Sequence, residues 1–340
     1  MKYRVIGLMS GTSLDGLDIA YVEFQKERKR WNYEMPYAQT VDYEEEWRIA
    51  LKKASCLEAQ AFQELDIKLG EWMGEQVKEF IAAHCLEVDF VASHGHTVFH
   101  QPHRQLTVQI GHGASLAAKV CLPVVSDFRR LDVALGGQGA PLVPLGDELL
   151  FADYHCCLNL GGIANLSTNR NGRRIAFDVC PCNIVLNHVA EILGKAYDED
   201  GNLAQRGTLI PTLLDQLNQL DYYQQGFPKS LGREWIDRYV FPTIFPYYDN
   251  AADVLHTFTE HIAFQIAKSI RSLLSDSHAS VLITGGGAFN QYLVSRIDFY
   301  LPEKKIVVPD ELTIKYKEAL IFALLGVLRW RNEINVFSSV

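Results

Sequence analysis

Twelve residues near the start of the chain, Gly7-Leu8-Met9-Ser10-Gly11-Thr12-Ser13-Leu14-Asp15-Gly16-Leu17-Asp18, combine three glycines, three hydroxyls and two carboxylates. Glycines let backbone N–H groups turn toward an anion with no Cβ in the way. Hydroxyls donate to phosphate oxygens, and a carboxylate such as Asp15 holds Mg2+ directly or through water. Apolar residues on either side (Val5 and Ile6; Ile19, Tyr21, Val22 and Phe24) make the segment the tip of a β-hairpin. A hairpin that only turns needs two residues such as Asn-Gly. The tip is therefore either a long polar turn or a phosphate loop. It is not a Walker loop, because no G-x-x-x-x-G-K-[ST] occurs.

Other segments carry groups suited to a reaction. Asn159-Leu160-Gly161-Gly162-Ile163-Ala164-Asn165 reads as a second hairpin tip, either a tight Gly-Gly turn or a counterpart grip on a phosphate tail. Thr284-Gly285-Gly286-Gly287-Ala288-Phe289-Asn290 joins a strand to a helix. Three consecutive glycines are costly unless something needs the space, and adenosine would use it; a flexible loop is the alternative. Asp178 ends the strand Arg174–Phe177 ahead of Pro181 and a helix, where it would serve as a general base or close an Asx turn. The run Ser93-His94-Gly95-His96-Thr97-Val98-Phe99-His100 holds three histidines, but no carboxylate completes a metal pattern, which favours hydrogen bonding to a polar ligand. Arg129 and Arg130 follow another strand and would pair with a ligand carboxylate or phosphate, or form an interdomain ion pair.

These groups need a frame. Strand-like runs cover 3–9, 18–24 and about 33–41, and then Phe62, Leu65, Leu69, Trp72, Met73, Val77, Phe80 and Ile81 recur at helical spacing. Strands at 88–93 and 106–110, a helix at 113–120 and a strand at 123–128 follow. The second half repeats the order: a hairpin at 156–160 and 163–167, a strand at 174–178, a helix at about 183–193, and an irregular stretch at about 195–250. A long helix carrying Leu255, Phe258, Ile262, Ile266 and Ile270 comes next, then strands at 281–284 and 305–308 and a last helix at 318–330. The repetition predicts two similar α/β domains around a cleft. The break at Gly136–Pro141 sets the expected division: 1–134 with about 315–340, and 135–314 with an insertion at about 195–250.

Composition narrows the classes. A chain of 340 residues with 48% apolar side chains fits two domains with real cores. A net charge of −9 argues against a nucleic-acid partner. Seven scattered cysteines suit a reducing compartment, and Cys180-Pro-Cys182 is too tight for a zinc C-x-x-C. No basic, apolar leader stands at the start, and no apolar run nears the ~20 residues of a membrane span. The expectation is a cytoplasmic protein with no membrane partner.

Taken in order, the motifs resemble the anhydro-N-acetylmuramic acid kinase family. Besides the opening segment they include Ser93 to Val98 (the family's SHGQTV), Gln109-Ile110-Gly111, Val125 to Arg130, and Gly136-Gly137-Gln138-Gly139-Ala140-Pro141-Leu142-Val143-Pro144. Leu158 to Asn165, Pro228-Lys229-Ser230 with Gly232-Arg233-Glu234, Gly285 to Ala288 with Asn290, and Lys317-Glu318-Ala319-Leu320 complete the set. The resemblance implies a duplicated actin/hexokinase/Hsp70-like (ribonuclease H-like) ATPase fold and a homodimer. It also implies an ATP- and Mg2+-dependent reaction: O6 of 1,6-anhydro-N-acetylmuramic acid is phosphorylated while water opens the anhydro bridge, giving N-acetylmuramic acid 6-phosphate in cell-wall recycling. By motif position Asp178 would be the base. Gly11, Thr12, Ser13, Asp15 and Gly16 would hold the γ-phosphate side, with Asp15 on the metal. Gly161, Gly162, Gly285, Gly286, Gly287 and Asn290 would hold the rest of the nucleotide, and Thr97, Arg130 and Glu318 the sugar.

The chain departs from the family pattern at three places. Asp178-Val179-Cys180-Pro181-Cys182-Asn183 stands for DTGPGN, His96 for a Gln, and His112-Gly113 for Asp-Pro. The departures touch the expected sugar side and open two alternatives: a kinase for another anhydrosugar, and a nucleotide-binding protein that has lost catalysis.

Overall fold

A computed structural model describes residues 1–11, 14–28 and 30–336. The chain forms two units: Met1–Phe151 with the segment from Tyr316 onward, and Ala152–Lys315.

In the first unit, β1 (Lys2–Ser10), β2 (Gly16–Glu27) and β3 (Arg30–Asp42) make an antiparallel meander. Helices α1 (Glu45–Lys53) and α2 (Ala59–His84) lead to β4 (Phe90–Gln101), which runs parallel to β1. β5 (Leu106–Ile110) pairs antiparallel with β4, and after α3 (Gly113–Val120) the short β6 (Val124–Val125) pairs parallel with β4. Strand alternation assigns the two faces of β1. Ile6 and Leu8 join Leu69, Met73 and Val77 of α2 in one core. Gly7, on the other face, admits the Ala319 carbonyl so closely that a Cβ would overlap it.

In the second unit, β7 (Cys156–Leu160), β8 (Ile163–Arg170) and β9 (Arg173–Pro181) repeat the meander. α4 (Phe128–Ala134) and α5 (Val143–Leu150) precede it in the first unit, and α6 (Asn183–Ile192) follows it. The stretch expected to be irregular carries short helices: α7 (Asn202–Arg206), α8 (Pro211–Asn218), α9 (Arg233–Trp235) and α10 (Phe241–Ile244). Then come α11 (Ala251–Leu273), β10 (Ser280–Thr284), α12 (Gln291–Tyr300), β11 (Lys305–Val307) and α13 (Glu311–Trp330). β10 lies parallel to both β7 and β11. One stripe of α11, including Phe258, Ile262 and Ile266, packs with Val185 and Val189 of α6 and with Leu158, Leu166 and Ile283 of the sheet.

The strand orders β3-β2-β1-β4-β6 and β9-β8-β7-β10-β11 are the same topology used twice. The fold is the duplicated α/β class expected for an actin/hexokinase-like ATPase. One boundary differs from expectation. The break at Gly136–Pro141 is a loop inside the first unit, where the Gly137 N–H donates to the Asp132 carbonyl and the Gly139 N–H to Asp132 Oδ2 at 2.6 Å. Residues 135–151 therefore stay with the first unit. Gly146 of α5 lies against Ile321 of α13, and Asp147 pairs with Lys317 at 2.7 Å with both side chains buried.

Candidate active site

The glycine-rich segments of the second unit meet at one corner. A Cβ at Gly285 (φ +82°) would run into Asn159 Oδ1, and one at Gly287 into Leu160. Gly286 meets nothing nearer than Asn183 Nδ2 at 3.9 Å, so its face is open. The Gly161 carbonyl accepts from the Asn183 N–H, the Gly162 carbonyl accepts from the Cys182 and Ile184 N–H groups, and Asn183 Nδ2 donates to the Leu160 carbonyl. The β7–β8 tip thus caps α6, whose first amides are committed to protein. Asn290, expected at the nucleotide, is occupied in holding a helix. Its Oδ1 accepts from the Leu293 N–H and caps α12.

Asp178 sits beside a β-bulge. Asn165 of β8 pairs with Asp178 but Ala164 pairs with Cys180, which leaves Val179 as the extra residue. Bulges of this kind redirect neighbouring side chains and cluster at active sites. Burial pushes the Asp178 carboxyl up, and the Leu231 N–H on Oδ2 at 2.8 Å opposes that rise. The residues that depart from the family run point elsewhere. Val179, Cys180 and Cys182 are buried in the hydrophobic core of this unit, and burial drives both thiols upward, Cys182 to about 12.

In the first unit, Thr12 and Ser13 lie outside the described residues. Around them, Leu14 (φ +62°) donates its N–H to the Gly11 carbonyl, and the Asp15 carbonyl accepts from the Tyr43 N–H. Gly16 is needed for packing, since a Cβ there would strike the Val41 carbonyl of β3. At the end of β1 the buried Tyr43 Oη donates to Ser10 Oγ at 2.8 Å, and Ser10 Oγ lies 3.0 Å from Nδ1 of the buried His96. With both hydroxyl protons passed along this chain, His96 accepts at Nδ1 and carries its own proton on Nε2. Burial lowers its pKa to about 4, so it is neutral at physiological pH.

Glu318 and Asp18 form an acidic pair of influences. Burial, the neighbouring Glu318 and Asp15 lift Asp18 to about 6, against the Thr40 hydroxyl that donates to its Oδ1 at 2.7 Å. Glu318 has an accessible surface but is densely surrounded, and that surrounding raises its carboxyl while Arg129 and Lys317 hold it down. The arginine that joins this group is Arg129. Its Nε–H donates to His94 Nε2 at 2.8 Å and its Nη1 to the Gly139 carbonyl at 2.6 Å. His94 is buried, neutral (pushed down to about 3) and fixed with its proton on Nδ1 facing the Gly95 carbonyl. Arg130, the arginine expected at the ligand, is exposed. It lies 3.5 Å from Asp127 and lines a cavity of about 270 Å³ with Arg329 and Asn335. Thr97 Oγ1 accepts from Gln109 Nε2 at 3.4 Å.

Among the described residues no group of three or more His, Cys, Asp or Glu side chains could hold a metal by themselves. Mg2+ does not need one, because it keeps several waters and takes one or two carboxylates plus phosphate oxygens. Asp15 and Asp18 fit that demand: Asp18 is raised chiefly by burial and further by the nearby carboxylates of Glu318 and Asp15, a build-up of negative charge that a bound cation would relieve. His112 shows how a family departure is absorbed. Its Nδ1 accepts from the Ser115 N–H and caps α3, the service an Asp would give.

The residue pattern is shared with known proteins. Residues 3–335 match the family described as anhydro-N-acetylmuramic acid kinase. The chain is similar to the anhydro-N-acetylmuramic acid kinase of Actinobacillus pleuropneumoniae serotype 7, at 34% identity over 97% of this chain and 93% of that one. It is similar to the protein of the same name from Synechococcus elongatus, at 34% identity with the same coverage of 97% and 93%. Among solved structures it is similar to (R)-2-hydroxyglutaryl-CoA dehydratase component A of Acidaminococcus fermentans, at 13% identity and a TM-score of 0.49 over 95% of this chain and 96% of that one. With the family pattern matched from residue 3 to residue 335 and relatives one-third identical along nearly their whole length, the chain belongs to the anhydro-N-acetylmuramic acid kinase family.

Proposed function

We propose that the protein uses ATP to phosphorylate O6 of 1,6-anhydro-N-acetylmuramic acid while water opens the anhydro bridge at C1. The product is N-acetylmuramic acid 6-phosphate, an intermediate of cell-wall recycling. The observation that supports this most is where the departures from the family fall. Val179, Cys180 and Cys182 fill core, His112 supplies a helix cap, and His96 is tied to Ser10. None removes a reacting group, and Asp178, Asp15 and Glu318 are kept. A different anhydrosugar or a lost activity has no such support.

Asp178 acts as the general base, and a carboxyl lifted by burial is a stronger base than a free one. It takes a proton from the water that attacks C1 as that carbon becomes oxocarbenium-like. O6, released from C1, meets the γ-phosphorus in line. Thr97 and Glu318 contact the sugar, and Arg129, in place of Arg130, meets its lactyl carboxylate. Gly11 to Gly16, with Thr12 and Ser13, hold the γ-phosphate side; Gly161, Gly162 and Gly285 to Gly287 hold the rest of the nucleotide. Asp15 and Asp18 would hold Mg2+, which would supply charge neutralisation at the phosphates. The same reading makes the protein a cytoplasmic homodimer, which light scattering of the purified chain checks for the dimer.

Mass spectrometry after incubation with ATP, Mg2+ and the anhydrosugar tests the reaction. The sugar should gain one phosphoryl group and one water; a gain of phosphoryl alone would mean simple phosphorylation and would end the coupled mechanism. Asp178→Asn should lower turnover by roughly 10³-fold or more while ATP affinity changes less than about threefold.

A further inference from the structure

Of the segments shared with the family, Pro228-Lys229-Ser230 with Gly232-Arg233-Glu234 has no part in the steps above. Its place in the fold gives it one. The chain from Tyr222 to Leu231 runs along the outer edge of β9, opposite Asp178. The Asp178 N–H donates to the Lys229 carbonyl at 3.2 Å, and the Leu231 N–H donates to Asp178 Oδ2 at 2.8 Å. The buried Tyr222 Oη donates to the Asp178 carbonyl at 2.6 Å. Asp178 is thus held at its amide, its carbonyl and one carboxylate oxygen by one strap. The strap is itself anchored: Lys229 Nζ lies 4.3 Å over the Tyr222 ring and donates to the Tyr222 carbonyl at 3.2 Å, Tyr222 packs on Trp235, and Phe227 stacks on Phe177. No described residue donates to Asp178 Oδ1.

We propose that the strap 222–231 is the positioning element of the base: it fixes the Asp178 carboxylate in one orientation, with Oδ2 spent on the Leu231 N–H and Oδ1 left as the atom that takes the proton. The inference rests on Asp178 being the base. A bulge re-aims the side chains beside it, and a general base must stay within hydrogen-bond reach of the proton it removes. An N–H donated to the charged form also favours ionisation, so the strap sets both where the base points and the pH at which it works. The ionisable groups around Asp178 are Tyr222 and Lys229 of the strap and Cys180 of β9. Burial keeps Tyr222 and Cys180 protonated at neutral pH, and burial with the neighbouring Lys268 lowers Lys229.

The test replaces the residue-231 amide by an ester, installing the α-hydroxy analogue of leucine so that only the N–H is lost. Without that donor the Asp178 carboxyl rises further, and activity depends on its ionised form. The acid limb of kcat/KM should therefore move to higher pH, and kcat at neutral pH should fall roughly tenfold with both KM values within about twofold. Tyr222→Phe, which keeps the ring and removes the hydroxyl, should lower kcat in the same pattern without moving the acid limb, because its partner is the carbonyl and not the carboxylate. An ester variant with an unmoved acid limb overturns the inference, as does a loss confined to KM. If Asp178→Asn retains turnover, the base assignment itself fails and the strap's role falls with it. If Asp178→Asn is inactive and the ester variant behaves as wild type, the assignment stands and only the strap is wrong.

Discussion

Asp18 carries a carboxyl that folding prefers to keep protonated. Its ordinary value is 3.8, and burial with Glu318 and Asp15 lifts it to about 6. Well below pH 3.8 it is neutral in folded and unfolded chains alike. Between the two values the folded chain holds a proton that the unfolded one gives up, and above about pH 6 the ionised side chain weighs on folding. Asp18→Asn should thus raise stability by about 1–3 kcal/mol near pH 8 and by little near pH 3.5, as read by thermal unfolding. A gain that persisted at the acid end would contradict this assignment. The same variant should need more Mg2+ for turnover. The thiols give a second residue-scale expectation. Cys56, Cys85 and Cys121 are exposed, while Cys156, Cys157, Cys180 and Cys182 are buried. An aromatic disulfide reagent should titrate the exposed set in the native protein and the rest only after unfolding. Adjacent residues also mark a limit of reading sequence. Arg129 and Arg130 are alike in type, and only the phase of α4 turns the first toward His94 and leaves the second in solvent.

Elements decide what local sequence cannot. The segment from Gly136 to Pro144 looks like a linker because glycine and proline crowd it. Its role emerges only from α13, distant in sequence, whose Lys317 pairs with Asp147 of α5. Removing one partner of a buried ion pair strands the other charge. Asp147→Ala should therefore cost about 3–5 kcal/mol in chemical denaturation, and adding Lys317→Met should recover much of it. A single variant as stable as wild type would show that water reaches the pair. The candidate site follows the same division. The glycine corner at 159–162 and 285–287 is legible, because glycines announce close approach in their identity. The Leu231 tether is not, since a backbone N–H leaves no trace in residue type. Nor are the bulges at Val179 and Gly95 (φ +75°), which reset the direction of the side chains that follow.

At the scale of the molecule, the repeated strand order is open to reading because strands covered on both faces, such as Val5–Leu8 and Val281–Ile283, are plain apolar runs. The 195–250 stretch is less so: its helices are short, and their apolar residues find their partners in the core around α11, distant in sequence. The first unit is assembled from two distant parts of the chain, since α13 returns to it beneath Gly7 with Ala319 to Leu325 fully buried or nearly so. A chain stopped after Lys315 should accordingly lack a stable first unit. Limited proteolysis should then degrade 1–151 quickly while a fragment near 152–315 survives; equal survival of both would show that α13 is dispensable. On the ribosome this arrangement reverses the usual schedule. The segment 1–151 must wait, unfinished, for residues made after 315, while the continuous stretch 152–315 is free to fold as soon as it emerges. The β1–β2 hairpin, with its glycines and carboxylates, is thus synthesised before the second unit and completed after it.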